Sequence, residues 1–150
     1  MTASITMYQS ANKYLGDGTI DLDTNTFKVT LHTSSYVPNA ATQTVYADLT
    51  NELSTANGYT NGGATLGSVT WTQSTVTMTF DAADTVWAAS GGSITARYAV
   101  IRSTVTANGH VEPLLAYVLL DITPADVTAT TGNNFTLQWN ASGIMQSTIV

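Results

Sequence analysis

The chain has 150 residues, no cysteine, four Lys plus Arg against ten Asp plus Glu, and a formal net charge of −6. That length fits one domain able to bury roughly two thirds of its unfolded surface without covalent staples. The missing cysteines exclude disulfides and thiolate metal sites, and the acidic balance opposes a nucleic-acid phosphate backbone. Charged residues make up 9% of the chain, against about a quarter in ordinary soluble domains. With 28 threonines and 12 serines the surface is clothed in hydroxyls, which favours strands because threonine is branched at Cβ. No stretch is long and apolar enough to cross a membrane. The opening MTASITMYQS has neither the basic nor the apolar region of a secretory signal, so the expectation is a soluble protein made in the cytoplasm.

Residues 4–15 place Ile5, Tyr8, Ala11 or Asn12, and Leu15 at helical spacing and stop at Gly16-Asp17-Gly18, which predicts a short N-terminal helix. Phe27, Val29 and Leu31 alternate with Lys28, Thr30 and His32, the pattern of a half-exposed strand. Tyr36 to Thr44 reads as loop, and Tyr46, Leu49 and Leu53 suit one or two helical turns. Asn57-Gly58 and Asn61-Gly62-Gly63 are turn chemistry, with the Tyr59 ring tucked inward between them. Val69 and Trp71, then Val76, Met78 and Phe80, alternate with threonines about a turn at Gln73-Ser74, predicting an antiparallel hairpin.

The stretch from Phe80 to Arg102 organises the chain. From Ile94 to Arg102 one side carries Ile94, Ala96, Tyr98 and Val100 and the other Thr95, Arg97, Ala99 and Ile101, so neither side reads as wet and the run is a central strand. Trp87 precedes it, and Gly91-Gly92 turns the chain into it. Thr106 to His110 is a turn, and Leu114 to Leu120 a nearly continuous apolar strand beside the central one. Thr123 to Asn134, with Pro124 and Gly132, reads as loop. Phe135, Leu137 and Trp139 alternate with polar residues, and Ile144 to Val150 is a short strand or tail. About six strands with turns between them predict a mainly β, antiparallel β-sandwich, jelly-roll-like in one arrangement, with a short N-terminal helix and all of residues 1–150 in one domain.

The chain carries little catalytic chemistry. Asp17, Asp21, Asp23 and Asn25 alternate oxygens as hard-cation loops do, but the EF-hand glycine and bidentate glutamate positions hold Leu22 and Lys28. His110-Val111-Glu112-Pro113 resembles the HxE element of zinc deaminases without the further ligands that chemistry needs, and reads as a hairpin turn. No G-x-S-x-G elbow accompanies His32 or His110. No catalytic, cofactor or metal residue is therefore assigned. Arg97 on the central strand demands a carboxylate, with Asp81 or Asp84 in reach. Trp71, Trp87 and Trp139 could stack on sugars, yet all three fall where the alternation points inward. They are expected in the core with Arg97 and Tyr98. Asn134-Phe135-Thr136 and Asn140-Ala141-Ser142 match a glycosylation acceptor that has no meaning without secretion.

Several segments, in their order and spacing, resemble the small virion structural proteins encoded near the head genes of tailed bacteriophages, the capsid decoration or cement proteins. They are Ile20-Asp21-Leu22, Thr26-Phe27-Lys28-Val29, Thr33-Ser34-Ser35-Tyr36, Thr50-Asn51-Glu52-Leu53, Gly58-Tyr59-Thr60, Gly62-Gly63, Phe80-Asp81-Ala82, Val86-Trp87, the run Ile94 to Ile101, Gln138-Trp139-Asn140 and Gly143-Ile144. The resemblance covers most of the chain. It implies a non-enzymatic protein on the capsid surface of a virion, bound to the major capsid protein and to itself, with a trimer suiting three-fold positions of a shell. The alternatives are a tail- or fibre-associated module that recognises carbohydrate, and a hydrolase. Ile5, Met7, Tyr8, Tyr36 and Val37 lie outside the alternating core pattern with little else to bury against, which marks them as the expected partner interface.

Overall fold

The computed structural model describes residues 3–123 and 125–149. In chain order they form β1 (Ser4–Met7), α1 (Gln9–Gly16), β2 (Phe27–His32), a 3-10 turn at Tyr46–Asp48, β3 (Ala64–Thr65), β4 (Thr70–Ser74), β5 (Thr77–Asp81), β6 (Thr85–Ala88), β7 (Ile94–Ala96) and β8 (Tyr98–Ser103). Then come β9 (Thr106–Ala107), β10 (His110–Val111), β11 (Leu114–Leu119), β12 (Val127–Ala129), β13 (Asn134–Leu137) and β14 (Met145–Thr148). Every strand pairing is antiparallel. The fold is mainly β and sandwich-like with one short helix, as the threonine-rich, Lys- and Glu-poor composition predicts.

One layer is a five-stranded sheet in the order β1-β11-β8-β2-β3. Its middle strand β8 pairs with β11 on one edge and β2 on the other, and Ala99 to Ser103 are all buried. The second layer is assembled from smaller sheets, β4-β5-β14, β6-β13 and β7-β12. The two layers meet through side chains such as Phe27 of β2 and Phe80 of β5, both wholly buried, whose rings sit edge to face at 5.1 Å. Beside them, Trp87 of β6 lies 6.0 Å from Phe135 of β13 and 6.1 Å from Tyr59, whose ring is inward as expected.

The structure corrects five details. The predicted central strand Ile94 to Arg102 is two strands of different sheets. At Arg97 the backbone N–H bonds His32 O and the C=O accepts from Leu120 N–H, so the chain leaves its pairing with β12 and joins the large sheet. Second, the helical spacing of residues 4–15 holds only from Gln9, because Ile5 and Met7 pair with Val118 and Ala116 and extend the large sheet. Third, β2 is covered on both faces rather than half-exposed, since Tyr36 of the following loop stacks on His32, and Thr50, beyond the 3-10 turn, accepts its Nδ1–H. Fourth, the predicted hairpin turns at Thr75-Val76, with Thr75 in the left-handed region at φ 52°, so Val76 is a turn residue. Fifth, the predicted loop from Thr123 contains β12, held by β7. Pro124 of that loop and Val150 of the predicted terminal strand lie outside the described residues.

The inter-layer ring contact carries a direct expectation. Phe80→Ala should lower the unfolding free energy by about 3–5 kcal/mol, the cost of emptying a large buried aromatic site, as a lower urea midpoint with the slope unchanged.

Candidate functional site

The five residues expected at an interface separate into two groups. Ile5 and Val37 are exposed, at 38% and 75%, and Met7 is half-buried. Tyr8 and Tyr36 are corrected, being wholly buried within the chain itself. Because β1 is a strand, Tyr8 follows it onto the outer face of the large sheet, its N–H bonded to Leu115 O and its ring edge-on to Tyr117 at 5.5 Å. Tyr36 folds back over His32 at 4.7 Å and meets Tyr98 at 5.6 Å. The two phenols bond each other at 2.8 Å, and Tyr36 donates onward to Gln43 Oε1 at 2.8 Å, so Tyr8 is the donor of the pair. Burial holds both phenols above their ordinary range, and neither ring is available to a partner.

Of the expected core residues, Trp87 and Trp139 are buried, while Trp71 and Tyr98 are half-buried and pack on the core from its margin. Arg97 is corrected. Its carboxylate is Asp126, with Nε to Oδ1 at 2.8 Å, and its side chain is 20% exposed. Asp84 instead accepts the Trp139 backbone N–H at 3.0 Å. The chain reaches Asp126 because β12 lies beside β7, a pairing that the sequence reads as loop.

The deeply buried arginine is Arg102, on β8, with 3% of its side chain exposed. Its Nη2 donates to Gly62 O at 3.1 Å, Nε reaches Glu112 Oε1 at 3.3 Å, and the guanidinium lies 3.7 Å above the Tyr46 ring. Nearby, Glu52 accepts hydrogen bonds from Tyr46 OH, from Tyr59 OH at 2.7 Å and from Gly62 N–H at 2.7 Å. Burial, then the Glu52 bond, pushes the Tyr46 phenol up to about 12. The cluster therefore ties the 3-10 turn, the Gly62-Gly63 turn and the β10–β11 connection to the central strand. Gly62 and Gly63 take φ 94° and 75°, and a Cβ on Gly63 would sit 2.1 Å from Val29 O, so glycine is needed there. A signal for Arg102 existed, since it shares a strand side with Val100 and Tyr98. The distant Glu52 and Gly62 left none.

His32 is also wholly buried in this region. Thr50 O can only accept, so Nδ1 carries the proton at 2.8 Å, and Nε2 accepts from Thr30 Oγ1 at 2.9 Å. Burial is the main cause that lowers its pKa, with Arg102 adding to it while the Thr50 bond and Glu52 oppose it. A hydroxyl and an imidazole thus meet where no substrate can reach. His110, on β10, lies against Tyr14 of α1 with Nδ1 3.1 Å from its hydroxyl. The acidic stretch serves local turns: Asp17 bonds Lys13 and Thr19, and Asp21 accepts the N–H groups of Asp23 and Thr24. Among the described residues no three His, Asp or Glu converge as a metal site would require.

What remains accessible is a groove of about 970 Å³ between the open edge of the large sheet and the segment from β13 to β14. Ile5 and Val118 form one wall, and Leu137, Trp139, Ile144 and Met145 line the other, so the inner faces of the two layers splay apart here. None of its lining residues is ionisable. Elsewhere the tip of the β4–β5 hairpin, Thr72 to Val76, is exposed along its whole length.

Two outcomes test this assignment. Arg102→Met removes two charged hydrogen bonds and should cost about 3 kcal/mol in chemical denaturation, whereas Arg97→Met, from a partly solvated pair, should cost under about 1 kcal/mol. His32 is held neutral when folded, so the unfolded chain takes the extra proton as the pH falls. Stability should drop from about pH 6.5 downward and level off below the folded-state value, ahead of acid titration of Asp17, Asp21, Asp48 and Asp121, whose pKa values are lowered. Urea midpoints at stepped pH check this, and the upper step should vanish in a folded His32→Gln variant.

Comparison with protein-family models, with curated proteins and with solved structures gave no match, so the functional reading rests on the residues and surfaces of this chain.

Proposed function

We propose that the chain is a virion structural protein, a capsid decoration protein that binds the assembled head of a tailed bacteriophage as a homo-oligomer and clamps neighbouring capsomers through the major capsid protein. The observation that carries this reading is the character of the accessible surface. It offers an uncharged groove, an exposed uncharged hairpin tip from Thr72 to Val76 and exposed apolar side chains such as Val37 and Ile5, on a chain with only 9% charged residues. Such a surface suits burial against neighbours. The segment resemblance set out above points the same way. The mechanism is associative, because contacts too weak to hold one copy become effective when adjacent bound copies raise one another's local concentration.

The inaccessible His32 and the local bonding of the acidic stretch weigh against hydrolysis as the activity. A tail- or fibre-associated carbohydrate module needs exposed rings, and Trp87 and Trp139 present almost none. Trp71 is the one indole with a half-exposed side, so the alternative predicts a shift of its fluorescence on sugar binding.

The test adds purified protein to heads that lack it and counts bound copies. Decoration predicts saturable binding at a number set by the capsid lattice, whereas a tail role predicts no binding to tail-less heads. Val37→Asp should leave the melting temperature unchanged and weaken head binding tenfold or more, which is about 1.4 kcal/mol.

A further inference from the structure

We propose that the tip of the β4–β5 hairpin of one copy of this chain seats in the groove beside β1 of the next copy, making a heterologous, head-to-tail contact. The groove side of the argument is its chemistry. It lies between two strands, β1 and β14, that each pair on one edge only among the described residues, and its lining is free of charge. Trp139 lines it with 7% of its surface exposed, and its buried indole Nε1–H has no acceptor. An occupant must therefore be uncharged and partly apolar, which a β-turn with an apolar residue at its tip provides.

The hairpin tip matches. Val76 is 52% exposed and Ile149 65%, and the two are joined by the Ile149 N–H bond to Val76 O at 3.0 Å, forming one apolar knob. From Thr70 to Phe80 and from Met145 to Ile149 no residue is ionisable. The sheet thus lacks the lysine or proline that normally blocks a free strand edge. Two chains of net charge −6 repel at long range, so copies can approach closely only where charge is absent, and knob and groove are two such places. They lie at opposite ends of β14, with Met145 in the groove and Ile149 at the knob, so a chain does not fill its own groove and the contact is not self-symmetric. Contacts of this type close into rings or run into filaments. The inference rests on the self-association within the decoration reading and is independent of the capsid.

The absence of cysteine makes the test clean. Val76→Cys and Ser142→Cys, the second on the exposed groove lining, should cross-link to each other when mixed under mild oxidation, and neither should cross-link efficiently alone. In a second measurement, wild-type protein should show masses that are multiples of 15.8 kDa by light scattering. Val76→Asp and Ser142→Trp should each be monomeric with unchanged circular dichroism, and their equimolar mixture should recover a dimer through the one intact knob and one intact groove. Self-cross-linking of Val76→Cys as efficient as the mixed reaction, wild-type mass in both single variants, or a wild-type chain that stays monomeric at its solubility limit would each overturn the proposal. Head binding separates the two readings. Variants that remain assembled yet bind heads normally sink this contact alone, while monomeric variants together with wild-type protein that ignores heads sink the decoration reading alone.

Discussion

Strand β8 is hydrogen-bonded along both edges and buried along both faces, and the other elements are arranged to keep it dry. On the inner face Ala99 and Ile101 look toward the second layer, where the Phe27–Phe80 contact closes the sandwich. On the outer face the cover is tyrosine, with Tyr8, Tyr36 and Tyr117 packed around Tyr98 and His32. A cover of tyrosines suits a sheet that carries Thr30 and His32, because each phenol buries a ring and still offers an oxygen to the polar groups beneath or beside it.

A buried arginine on that strand is the cost of this arrangement, and its surroundings show how the chain accommodates it. A buried Arg102 needs partners, and Gly62 O, Glu112 and the Tyr46 ring engage its Nη2, its Nε and its face, while the buried Nη1 has no partner among the described residues. Glu52 then binds the same turns through Tyr46, Tyr59 and Gly62. The cluster thereby converts loops without regular structure into a fixed cover, and its polar chemistry is consumed in doing so.

The surfaces left over have the opposite character. Where the two layers part beside β1 the lining is uncharged, and the exposed tip of the β4–β5 hairpin, Thr72 to Val76, carries no charge. Three of the four cations are held in the Lys13–Asp17, Arg97–Asp126 and Arg102–Glu112 pairs, and no ionisable residue lines the groove to select a charged small ligand. Contact over many hydroxyl and apolar groups is the kind of recognition such a surface supports, and association with neighbours is the reading we favour.

The sequence by itself determined the β character, the Leu114 strand as a neighbour of the central one, the inward Tyr59, Trp87 and Trp139 and a helical start at Tyr46, of which one 3-10 turn forms, because each depends on alternation or on turn chemistry within a few residues. Only the tertiary structure decided that Ser4–Met7 is an edge strand, that Ile94 to Arg102 changes sheets at Arg97, and that Arg102 rather than Arg97 is the buried cation. Those facts depend on what lies across from a residue. Tyr8 and Tyr36 make the point most plainly, since nothing near either one in the chain announces the other, and their shared hydrogen bond at 2.8 Å spans 28 residues. Burial and partner choice are set by strands that meet from distant positions, and a single sequence records the two halves of such a contact without recording that they touch.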